Sequence, residues 1–444
     1  MRVADLKNKK IVIWGLGHEG KAAAGFICQH LPGQTATLVD ESEGPDKVKG
    51  DLPPNYPIIR GTSTIGAALD AADIVIKSPG VSLYHPLIQR LKEKGTPVTS
   101  LLNLWLAEPH TAKIIGVTGT KGKSTTSSLL AHVLKGLAQK TAFAGNIGVP
   151  VVDIDGNDTD FAVIEVSSYQ AADLAETIDL AILVSLQPEH LDWHRTPDRY
   201  FSDKLNLLAR ARTKIINDET VPDARRCGLK PENTLFFNRP DGLHTRGGEI
   251  YDAAQRIGIP PNIYLTRPHN LSNVCAVLTA IKFFGFDLFA ALATMADYKA
   301  LPHRQQEIGE RDGILYVNDS IATAPHATIA ALEVYRDRPI SLIAGGFDRG
   351  IDYATLVAYI VAHNTHAVIL MGPSGQRVFD ALTAHRKERT FVVPSMKEAV
   401  AVASMHTPKG GAVLLSPAAP SYGMFRDFIE RGESFATEAG FTRR

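Results

Sequence analysis

A chain of 444 residues is too long for one hydrophobic core, so its length indicates two to four domains. Hydrophobic residues make up 44% and charged residues 21%, and the 47 basic residues balance 47 acidic ones, which is typical of a globular protein and offers no charged surface for nucleic acid or membrane. Cys28, Cys227 and Cys275 lie far apart, which excludes a disulfide framework and a thiolate zinc site and fits a reducing compartment.

Short apolar runs alternate with longer amphipathic segments along the whole chain. This alternation predicts an α/β protein built from βα units around parallel sheets. A polar stretch with Pro109 and a second one with Pro302 divide the pattern into three blocks.

The first block carries a dinucleotide-type fingerprint. An apolar strand runs into Gly15-Leu-Gly17-His-Glu-Gly20, a helix follows from about Lys21, and the next strand ends at Asp40, twenty residues beyond Gly20. Such a loop holds NAD or another nucleotide diphosphate, or it is only a tight turn between strand and helix. The predicted strands of this block cover 10–14, 36–39 and 74–76, the last of which runs into Ser78-Pro-Gly80.

The second and third blocks repeat the alternation. Leucine and valine at Leu130, Val133, Leu134 and Leu137 predict an amphipathic helix. The segment 222–261, rich in Asn, Asp, Gly and Pro, predicts a strand-and-loop excursion. The other predicted elements are strands over 113–115, 161–166, 180–186, 314–317, 340–343, 367–370 and 412–415, and helices over about 200–212 and 270–284.

The strongest motif is the glycine-rich loop Gly116-Val-Thr-Gly-Thr-Lys-Gly-Lys-Ser-Thr125 between a strand and a helix. Backbone N–H groups of such a loop surround phosphate oxygens, and the helix N-terminus favours an anion. The spacing departs from the strict P-loop because Gly116 lies one residue too early and Val117 takes the first glycine position. The motif predicts a triphosphate site in which Lys123 reaches the terminal phosphates and Ser124 ligates magnesium.

Polar residues at strand ends accompany this loop. Glu165 closes an apolar run, where a carboxylate either meets a partner such as magnesium or lies at the surface. The cluster from Glu189 to His194 follows another strand, without a HExxH zinc pattern, and the sequence does not choose among its polar members. The other candidates, each a surface residue on its own evidence, are Lys204, Asn270, Asn273, His303 and Arg304.

Taken together, these segments resemble the Mur ligases over essentially the whole chain. The first domain, with its Gly-x-Gly-x-x-Gly and Ser-Pro-Gly elements, is most similar to members that add glutamate to UDP-N-acetylmuramoyl-L-alanine. The motifs that carry the resemblance are Gly116-x-Thr-Gly-Thr-x-Gly-Lys-Ser-Thr125, Gly145-Asn-Ile-Gly148, Glu165-x-Ser-Ser-Tyr-Gln170, Glu189-His190, Asp203-Lys-Leu205, His269-Asn-x-x-Asn273, Leu301-Pro-His-Arg304, Asn318-Asp-Ser320 and Leu415-Ser-Pro417.

The resemblance implies three domains: an N-terminal Rossmann-like domain that binds UDP, a central P-loop ATPase-like domain with a parallel sheet, and a C-terminal Rossmann-like domain that binds glutamate. Their expected bounds are 1–109, 110–300 and 301–444.

Site roles follow from the resemblance by matching position. The expected contacts of the UDP-linked substrate are Gly15, Leu16, Gly17, His18, Asp40, Gly80, Asn146 and Gln170. The expected ATP contacts are Gly119, Thr120, Lys121, Gly122, Lys123, Ser124, Thr125, Asn270, Asn273, Arg304 and Asp319. Two magnesium ions are implied, one on Ser124 and Glu165 and one on His190 and a carbamylated Lys204. The catalytic candidates are Lys123, His190 and Lys204.

The implied reaction joins glutamate to the acceptor in two steps. The alanine carboxylate attacks the γ-phosphate of ATP, giving an acyl phosphate and ADP, and the amine of glutamate then displaces phosphate. Ile321 stands where the D-glutamate-adding members carry lysine, and Arg349 replaces a second lysine with a bidentate guanidinium. The sequence therefore favours L-glutamate, with D-glutamate as the alternative. The expected glutamate contacts are Thr323, Arg349, Ser421 and Phe428.

The remaining expectations concern partners and rival functions. No apolar stretch approaches the roughly 20 residues that span a bilayer, so we expect a cytoplasmic monomer without nucleic-acid or membrane partners. A downstream epimerase would act on an L-glutamate product. The rivals are an NAD-dependent oxidoreductase, which leaves the second loop and Glu165 without purpose, an inert nucleotide-binding partner of a ligase, and a folate-glutamylating ligase, which has no use for a UDP domain.

Overall fold

The computed structural model describes residues 1–41, 52–53, 55–146, 149–363, 365–384 and 388–441. The predicted Ile147 and Gly148, and the side chains of Asp192 and His269, lie outside the described residues. Two units divide the chain, Met1–Lys299 and Ala300–Arg444. Among the described residues, every helix is too short or too polar to traverse a lipid bilayer.

Short apolar runs buried on both faces form the first parallel sheet, in the order β3-β2-β1-β4-β5. The chain order reverses between β1 and β4, and such a reversal opens a crevice at the carboxyl ends of the strands. The strands are β1 (Ile11–Trp14), β2 (Ala36–Asp40), β3 (Ile58–Arg60), β4 (Ile74–Lys77) and β5 (Val98–Thr99). The helices are α1 (His18–His30), α2 (Ile65–Asp70), α3 (Pro86–Lys94) and α4 (Leu101–Ala107).

The second sheet of the same unit has the order β14-β13-β12-β11-β10-β9-β6-β8-β7, with parallel pairing from β7 to β12 and antiparallel pairing beyond it. Its strands are β6 (Lys113–Thr118), β7 (Thr141–Gly145), β8 (Phe161–Glu165), β9 (Ile178–Leu183), β10 (Ala211–Asn217), β11 (Thr234–Phe237), β12 (Leu243–Arg246), β13 (Glu249–Asp252) and β14 (Gln255–Gly258). Its helices are α5 (Lys123–Gly136), α6 (Ser168–Ala172), α7 (Leu191–His194), α8 (Pro197–Ala209), α9 (Val221–Arg226), α10 (Pro268–Phe283) and α11 (Leu288–Ala293).

Two apolar layers cover this second sheet. Helices α5 and α10 pack on one of its faces, and α6 and α8 belong to the layer on the other. Strands β6, β8 and β9 therefore lie buried in the middle, and their carboxyl ends meet at one edge. That edge holds the predicted phosphate loop, Glu165 and the segment from Glu189 to His194.

The second unit has the sheet order β15-β16-β20-β17-β18-β19, parallel except for the β15–β16 pair. Its strands are β15 (Gln306–Arg311), β16 (Ile314–Asn318), β17 (Ile340–Gly345), β18 (Ala367–Met371), β19 (Thr390–Val392) and β20 (Ala412–Leu415). Its helices are α12 (Pro325–Val334), α13 (Ala354–Ala362), α14 (Gly372–Thr383), α15 (Met396–His406) and α16 (Phe428–Glu438). The predicted α/β class is confirmed in both units.

Three local predictions were wrong. Helix α1 begins at His18 instead of Lys21, since Gly17 already takes the cap position. Gly116 belongs to β6 instead of the loop, because it pairs with Ile164 of β8 and Ala181 of β9. The predicted helix over 200–212 ends at Ala209, and the missed strand β10 follows at once because pairing with β9 supplies its hydrogen bonds.

Gly20, on the helix that follows β1, leaves less room for an added Cβ than the other described glycines do. A Cβ at Gly20 would collide with the Gly15 carbonyl oxygen, whereas a Cβ at the exposed Gly25 of the same helix meets nothing within 4 Å. We therefore expect Gly20→Ala to lower the free energy of unfolding by about 1–3 kcal/mol. Gly25→Ala is expected to raise it by about 0.5–1 kcal/mol through helix propensity. Urea unfolding of both variants checks this, and equal shifts of the same sign would contradict it.

Candidate active site

The loop between β6 and α5 ends in a turn that suits only glycine. Gly122 has a φ of 81°, and a Cβ there would lie 2.6 Å from Asn273 Oδ1. Lys123, the first residue of α5, folds back over the loop and donates hydrogen bonds to the carbonyl oxygens of Gly119 and Thr120 at 2.8 and 3.1 Å. The N–H groups of the first helical turn, which have no acceptor within the helix itself, and the lysine ammonium thus meet at one loop, which suits a phosphate. Ser124 and Thr125 are buried at the start of α5.

Two predicted ATP contacts from α10 lie against this loop. Asn273 Oδ1 accepts a hydrogen bond from the Thr126 hydroxyl at 3.2 Å, and Asn273 Nδ2 donates to Asn270 Oδ1 at 3.3 Å. Asn270 in turn donates to the Tyr264 carbonyl oxygen at 2.8 Å. The two asparagines are therefore fixed beside the phosphate loop although 147 residues separate Thr126 from Asn273.

Glu165 ends β8 fully buried, so the interpretation of it as a surface residue is wrong. Its Oε1 accepts a hydrogen bond from Asn146 Nδ2 at 2.9 Å, while the buried Oε2 has no hydrogen-bond partner among the described residues. A buried carboxylate oxygen without a donor is costly, and a hard divalent cation satisfies it. The chemistry of Glu165 therefore fits a divalent cation such as magnesium.

In the described part of the chain, no three His, Cys, Asp or Glu side chains are grouped so that they could hold a metal ion between them. A cation at Glu165 would therefore take most of its ligands from phosphate oxygens and water. This is how magnesium is usually held in phosphate-transferring sites, through one or two carboxylates plus substrate.

Lys204 is buried on α8, so its interpretation as a solvated helical lysine is wrong. Its Nζ donates to the Gly119 carbonyl oxygen at 2.9 Å, the same atom that Lys123 contacts. Burial lowers the pKa of Lys204 well below its usual value, and the neighbouring Lys123 charge adds to this, while Glu189 and Glu165 oppose it. The structure therefore brings both lysines and Glu165 within electrostatic reach of each other and favours a neutral amine at Lys204.

The two histidines of the Glu189–His194 cluster have different environments. His194 is fully buried, with Nδ1 2.6 Å from Asp203 Oδ2 and Nε2 2.9 Å from the Ser168 hydroxyl. The His190 side chain is 46% exposed, with a backbone φ of 55° and its ring 5.1 Å from that of Tyr169. Accordingly His194 serves the structure, and His190 remains accessible to a ligand.

Asp203 and Trp193 link the first sheet to the second, a role that the sequence did not reveal. The Tyr84 hydroxyl contacts both Asp203 carboxylate oxygens, at 2.9 and 3.0 Å. Trp193 Nε1 donates to the Pro79 carbonyl oxygen at 3.1 Å, and the Ser82 hydroxyl donates to the Trp193 carbonyl oxygen at 2.9 Å. The Ser-Pro-Gly turn after β4 is thereby fastened beside α7 and α8. The available signal in the sequence was Trp193, an aromatic residue that stands between two polar ones.

Two neighbouring cavities of about 360 and 350 Å³ share the fingerprint residues Gly15, Asp40 and Gly80. Asp40 Oδ2 accepts a hydrogen bond from the Leu16 N–H at 2.9 Å and so shapes the loop. The first cavity is also lined by Gly17, His18 and Asn146. Because Asn146 donates a hydrogen bond to Glu165, this cavity adjoins the carboxylate at the end of β8. Of the predicted UDP-substrate contacts, Gln170 alone does not line either cavity.

In the second unit, Arg304 precedes β15 and Asp319 follows β16, the strand that pairs with β15. Asp319 is buried and accepts hydrogen bonds from the Ser416 hydroxyl at 2.8 Å and the Gln305 N–H at 3.1 Å. Arg304 Nε is buried without a hydrogen-bond partner among the described residues. This unit thus holds a carboxylate whose oxygens are fixed and a buried guanidinium nitrogen that such a bond does not fix.

A buried arginine that the sequence did not single out shares Ser320 as a hydrogen-bond partner with the predicted glutamate contact Phe428. Arg431 on α16 donates to the Ser320 hydroxyl and carbonyl oxygens at 3.1 and 2.7 Å, and to the Ala419 carbonyl oxygen at 3.0 Å. Burial lowers the pKa of Arg431 to about 10. Ser320 also donates to the Phe428 carbonyl oxygen at 2.7 Å. The candidates themselves are Ser421, which is buried, Thr323 and Phe428, which are half-buried, and Arg349, which is exposed.

Comparison with known families gives a match in each part of the chain. A MurD-like N-terminal domain of the Mur ligases matches residues 9–100, the Mur ligase middle domain matches 117–281, and the Mur ligase glutamate ligase domain matches 303–419.

Two curated relatives are named UDP-N-acetylmuramoyl-L-alanine--L-glutamate ligase. The protein from Salinispora tropica is 40% identical over 98% of both chains. The protein from Xanthomonas campestris pv. campestris strain 8004 is 36% identical over 99% of this chain and 97% of its own.

Solved structures share the fold. The UDP-N-acetylmuramate-alanine ligase MurC from Thermotoga maritima superimposes with a TM-score of 0.58 at 19% identity, over 98% of this chain and 99% of its own. The MurF ligase of the same organism, in complex with ADP, gives 0.54 at 16% identity over 91% of this chain and 89% of its own.

The two histidines allow a matched test of the site's framework. His194→Ala removes a buried ring that bonds Asp203 and Ser168, so we expect the free energy of unfolding to fall by about 2–4 kcal/mol. His190→Ala, on a half-exposed side chain, is expected to change it by less than about 0.5 kcal/mol. Thermal and urea unfolding of the full chain provide the measurement. A His190 variant that loses as much stability as the His194 variant would contradict this division of roles.

Proposed function

The chain belongs to the Mur ligase family of ATP-dependent ligases, which form amide bonds in the synthesis of peptidoglycan precursors, and we propose that it adds L-glutamate to UDP-N-acetylmuramoyl-L-alanine. The names of relatives that are 36–40% identical over nearly the full chain support this acceptor and this amino acid. Addition of D-glutamate to the same acceptor is the alternative.

The proposal assigns one substrate to each part of the chain. Residues 1–109 bind the UDP moiety, residues 110–300 bind ATP, and residues 301–444 bind glutamate. The cavities at Gly15, Asp40 and Gly80 support the first assignment, and the glycine loop before Lys123 supports the second.

The observation that carries the ligase chemistry is the set of charges around the Gly119 carbonyl oxygen. Lys123 and Lys204 both donate to this atom, and the unpaired Glu165 oxygen lies close enough to affect the pKa of Lys204. A bound triphosphate would offer Lys123 better partners than the two loop carbonyls and would draw it toward the transferring group. Positive charge held there stabilises negative charge that develops during phosphoryl transfer.

Two magnesium ions complete the proposed site. Ser124 and Glu165 would hold one, and His190 with carbamylated Lys204 would hold the other. Bound magnesium supplies Lewis-acid polarisation of the phosphoryl group and neutralises its charge. In the proposed chemistry the alanine carboxylate takes the γ-phosphoryl group, ADP leaves, and the glutamate amine attacks the acyl phosphate and expels phosphate.

Lys204 suits carbamylation because carbon dioxide adds only to a neutral amine. The addition forms an N–C bond and releases one proton, and the product is an anion. The lowered pKa of Lys204 increases the neutral fraction at neutral pH. The anionic product would also place a negative charge beside the Lys123 ammonium.

Residues of the second unit bear on the choice of glutamate enantiomer. Ile321 supplies no cation beside Ser320, and Arg349 is exposed on the loop after β17. A guanidinium binds a carboxylate through two parallel hydrogen bonds, which an ammonium cannot do. A pocket with one guanidinium instead of two ammonium groups would hold the two carboxylates of glutamate differently, and this supports L-glutamate.

A direct assay tests the substrate assignment. The full chain with magnesium, ATP and UDP-N-acetylmuramoyl-L-alanine should release ADP at least about tenfold faster with L-glutamate than with D-glutamate. Lys123→Ala should reduce the rate by about 10²–10³-fold, as removal of one positioned donor at a transition state does. Turnover with D-glutamate alone would refute the choice of enantiomer, and full activity of the Lys123 variant would refute the proposed phosphate site.

Carbamylation of Lys204 has its own test. After equilibration with ¹³C-bicarbonate, the protein should give a carbamate ¹³C resonance that Lys204→Ala removes. Lys214→Ala is the matched control, because Lys214 is also a buried lysine that donates to a backbone carbonyl, that of Glu232. A signal that survives in the Lys204 variant, or full ligase activity of that variant, would contradict the modification and its role.

A further inference from the structure

Glu19 is a carboxylate placed where the proposed function puts a diphosphate. It is the second residue of α1 and lines the cavity together with Gly15, Gly17 and Asn146. A glycine loop at a helix N-terminus favours an anion, and a second anion at the same place repels it. Glu19 must therefore be directed toward a different part of the ligand or toward the protein.

Gln170 fixes the orientation of Glu19. The Gln170 Oε1 accepts hydrogen bonds from the backbone N–H and the hydroxyl of Ser167, each at 3.0 Å, so its amide nitrogen must point away from Ser167. That nitrogen donates to Glu19 Oε1. Gln170 is only 3% exposed, which explains why it is absent from the cavity lining. Glu19, and not Gln170, therefore lines the cavity, with one carboxylate oxygen held by the Gln170 amide.

A buried ion pair lies next to these two residues. Lys77 ends β4, and its Nζ lies 2.9 Å from Asp173 Oδ2, just after the helix α6 that carries Gln170. Burial raises the pKa of Glu19, the Gln170 hydrogen bond opposes this, and the charges of Asp173 and Lys77 act in opposite directions. The ion pair joins the first sheet to α6 and thereby holds Gln170 and Glu19 in register.

We propose that Glu19 contacts the acceptor by accepting a hydrogen bond from an N–H or O–H group of its sugar–peptide part, with Gln170 and the Lys77–Asp173 pair as positioning residues. The proposal rests on the function proposed above. The cavity extends from Gly15 to Asn146, and Asn146 bonds Glu165 at the phosphate-transfer site. The part of the acceptor between its diphosphate and its reacting carboxylate therefore passes Glu19.

The chemistry of that part of the acceptor suits a carboxylate. An N-acetylated sugar joined to alanine offers hydroxyl and amide N–H donors and carries no charge before its terminal carboxylate. Hydrogen bonds to a charged acceptor are among the stronger ones in proteins. Glu19 would thus select the sugar–peptide portion while the glycine loop holds the diphosphate.

Titration calorimetry on the full chain with two probes, UDP and UDP-N-acetylmuramoyl-L-alanine, tests this contact. Glu19→Ala should weaken binding of the complete acceptor at least about tenfold, the loss expected for one charge-assisted hydrogen bond, and leave UDP binding within about twofold. Glu19→Gln keeps a neutral acceptor oxygen and should lose less. Glu93→Ala, on an exposed side chain of α3, is the matched control and should change neither affinity.

The outcomes separate this proposal from the proposed function. Unchanged acceptor binding in Glu19→Ala, or equal weakening of UDP and acceptor in both Glu19 variants, would overturn the contact. A fall in unfolding temperature with loss of both ligands in both variants would show a purely structural role and would also overturn it. A wild-type chain that binds neither the acceptor nor UDP would instead refute the proposed function.

Discussion

The arrangement of charges at the carboxyl ends of β6 and β8 is the constraint on which the rest of the first unit depends. Lys123 and Lys204 converge on one backbone carbonyl oxygen, and Glu165 is buried nearby with an unpaired oxygen. Burial of like charges is unfavourable unless a partner or a change of protonation compensates it. The fold maintains this arrangement because Gly122 permits the turn and because α5 and α8 pack on opposite faces of the same sheet. The proposed triphosphate and magnesium would supply the missing opposite charges.

The first sheet contributes by holding its crevice at a fixed place beside that loop. Contacts from Tyr84 to Asp203, from Trp193 to Pro79 and from Lys77 to Asp173 cross between the two sheets. Trp193 and Lys77 are buried, and hydrogen bonds and ion pairs of buried groups depend strongly on geometry. Asp203 also orients His194 and directly precedes Lys204 in the sequence. The segment that carries Lys204 therefore also positions the fingerprint crevice. The fingerprint crevice and the glycine-rich loop are thus held by one network of contacts.

Much of the fold followed from the sequence because strands β1, β6, β8, β16 and β20 are short apolar runs ended by glycine or a polar residue. The errors arose where tertiary contacts, and not the local sequence, determine secondary structure or burial. Gly116 lies in a strand because it pairs with β8 and β9, and β10 has no local break that separates it from α8. Lys204 resembles any lysine of an amphipathic helix, so only packing reveals its burial. Glu19, Lys77 and Arg431 went unnoticed for the same reason, since their partners are distant in sequence.

Polar burial serves two different purposes in this chain, and the described residues distinguish them. His194 and Arg431 are buried with hydrogen bonds to Asp203, Ser168, Ser320 and Ala419, and such satisfied groups fix a single conformation. Glu165 Oε2 and Arg304 Nε are buried without such partners among the described residues. An unsatisfied buried group reduces stability, and a ligand that pairs with it restores part of that loss. The sequence resemblance predicts a contact with ATP or its metal for both Glu165 and Arg304, so at these two residues the unpaired atoms agree with the predicted role.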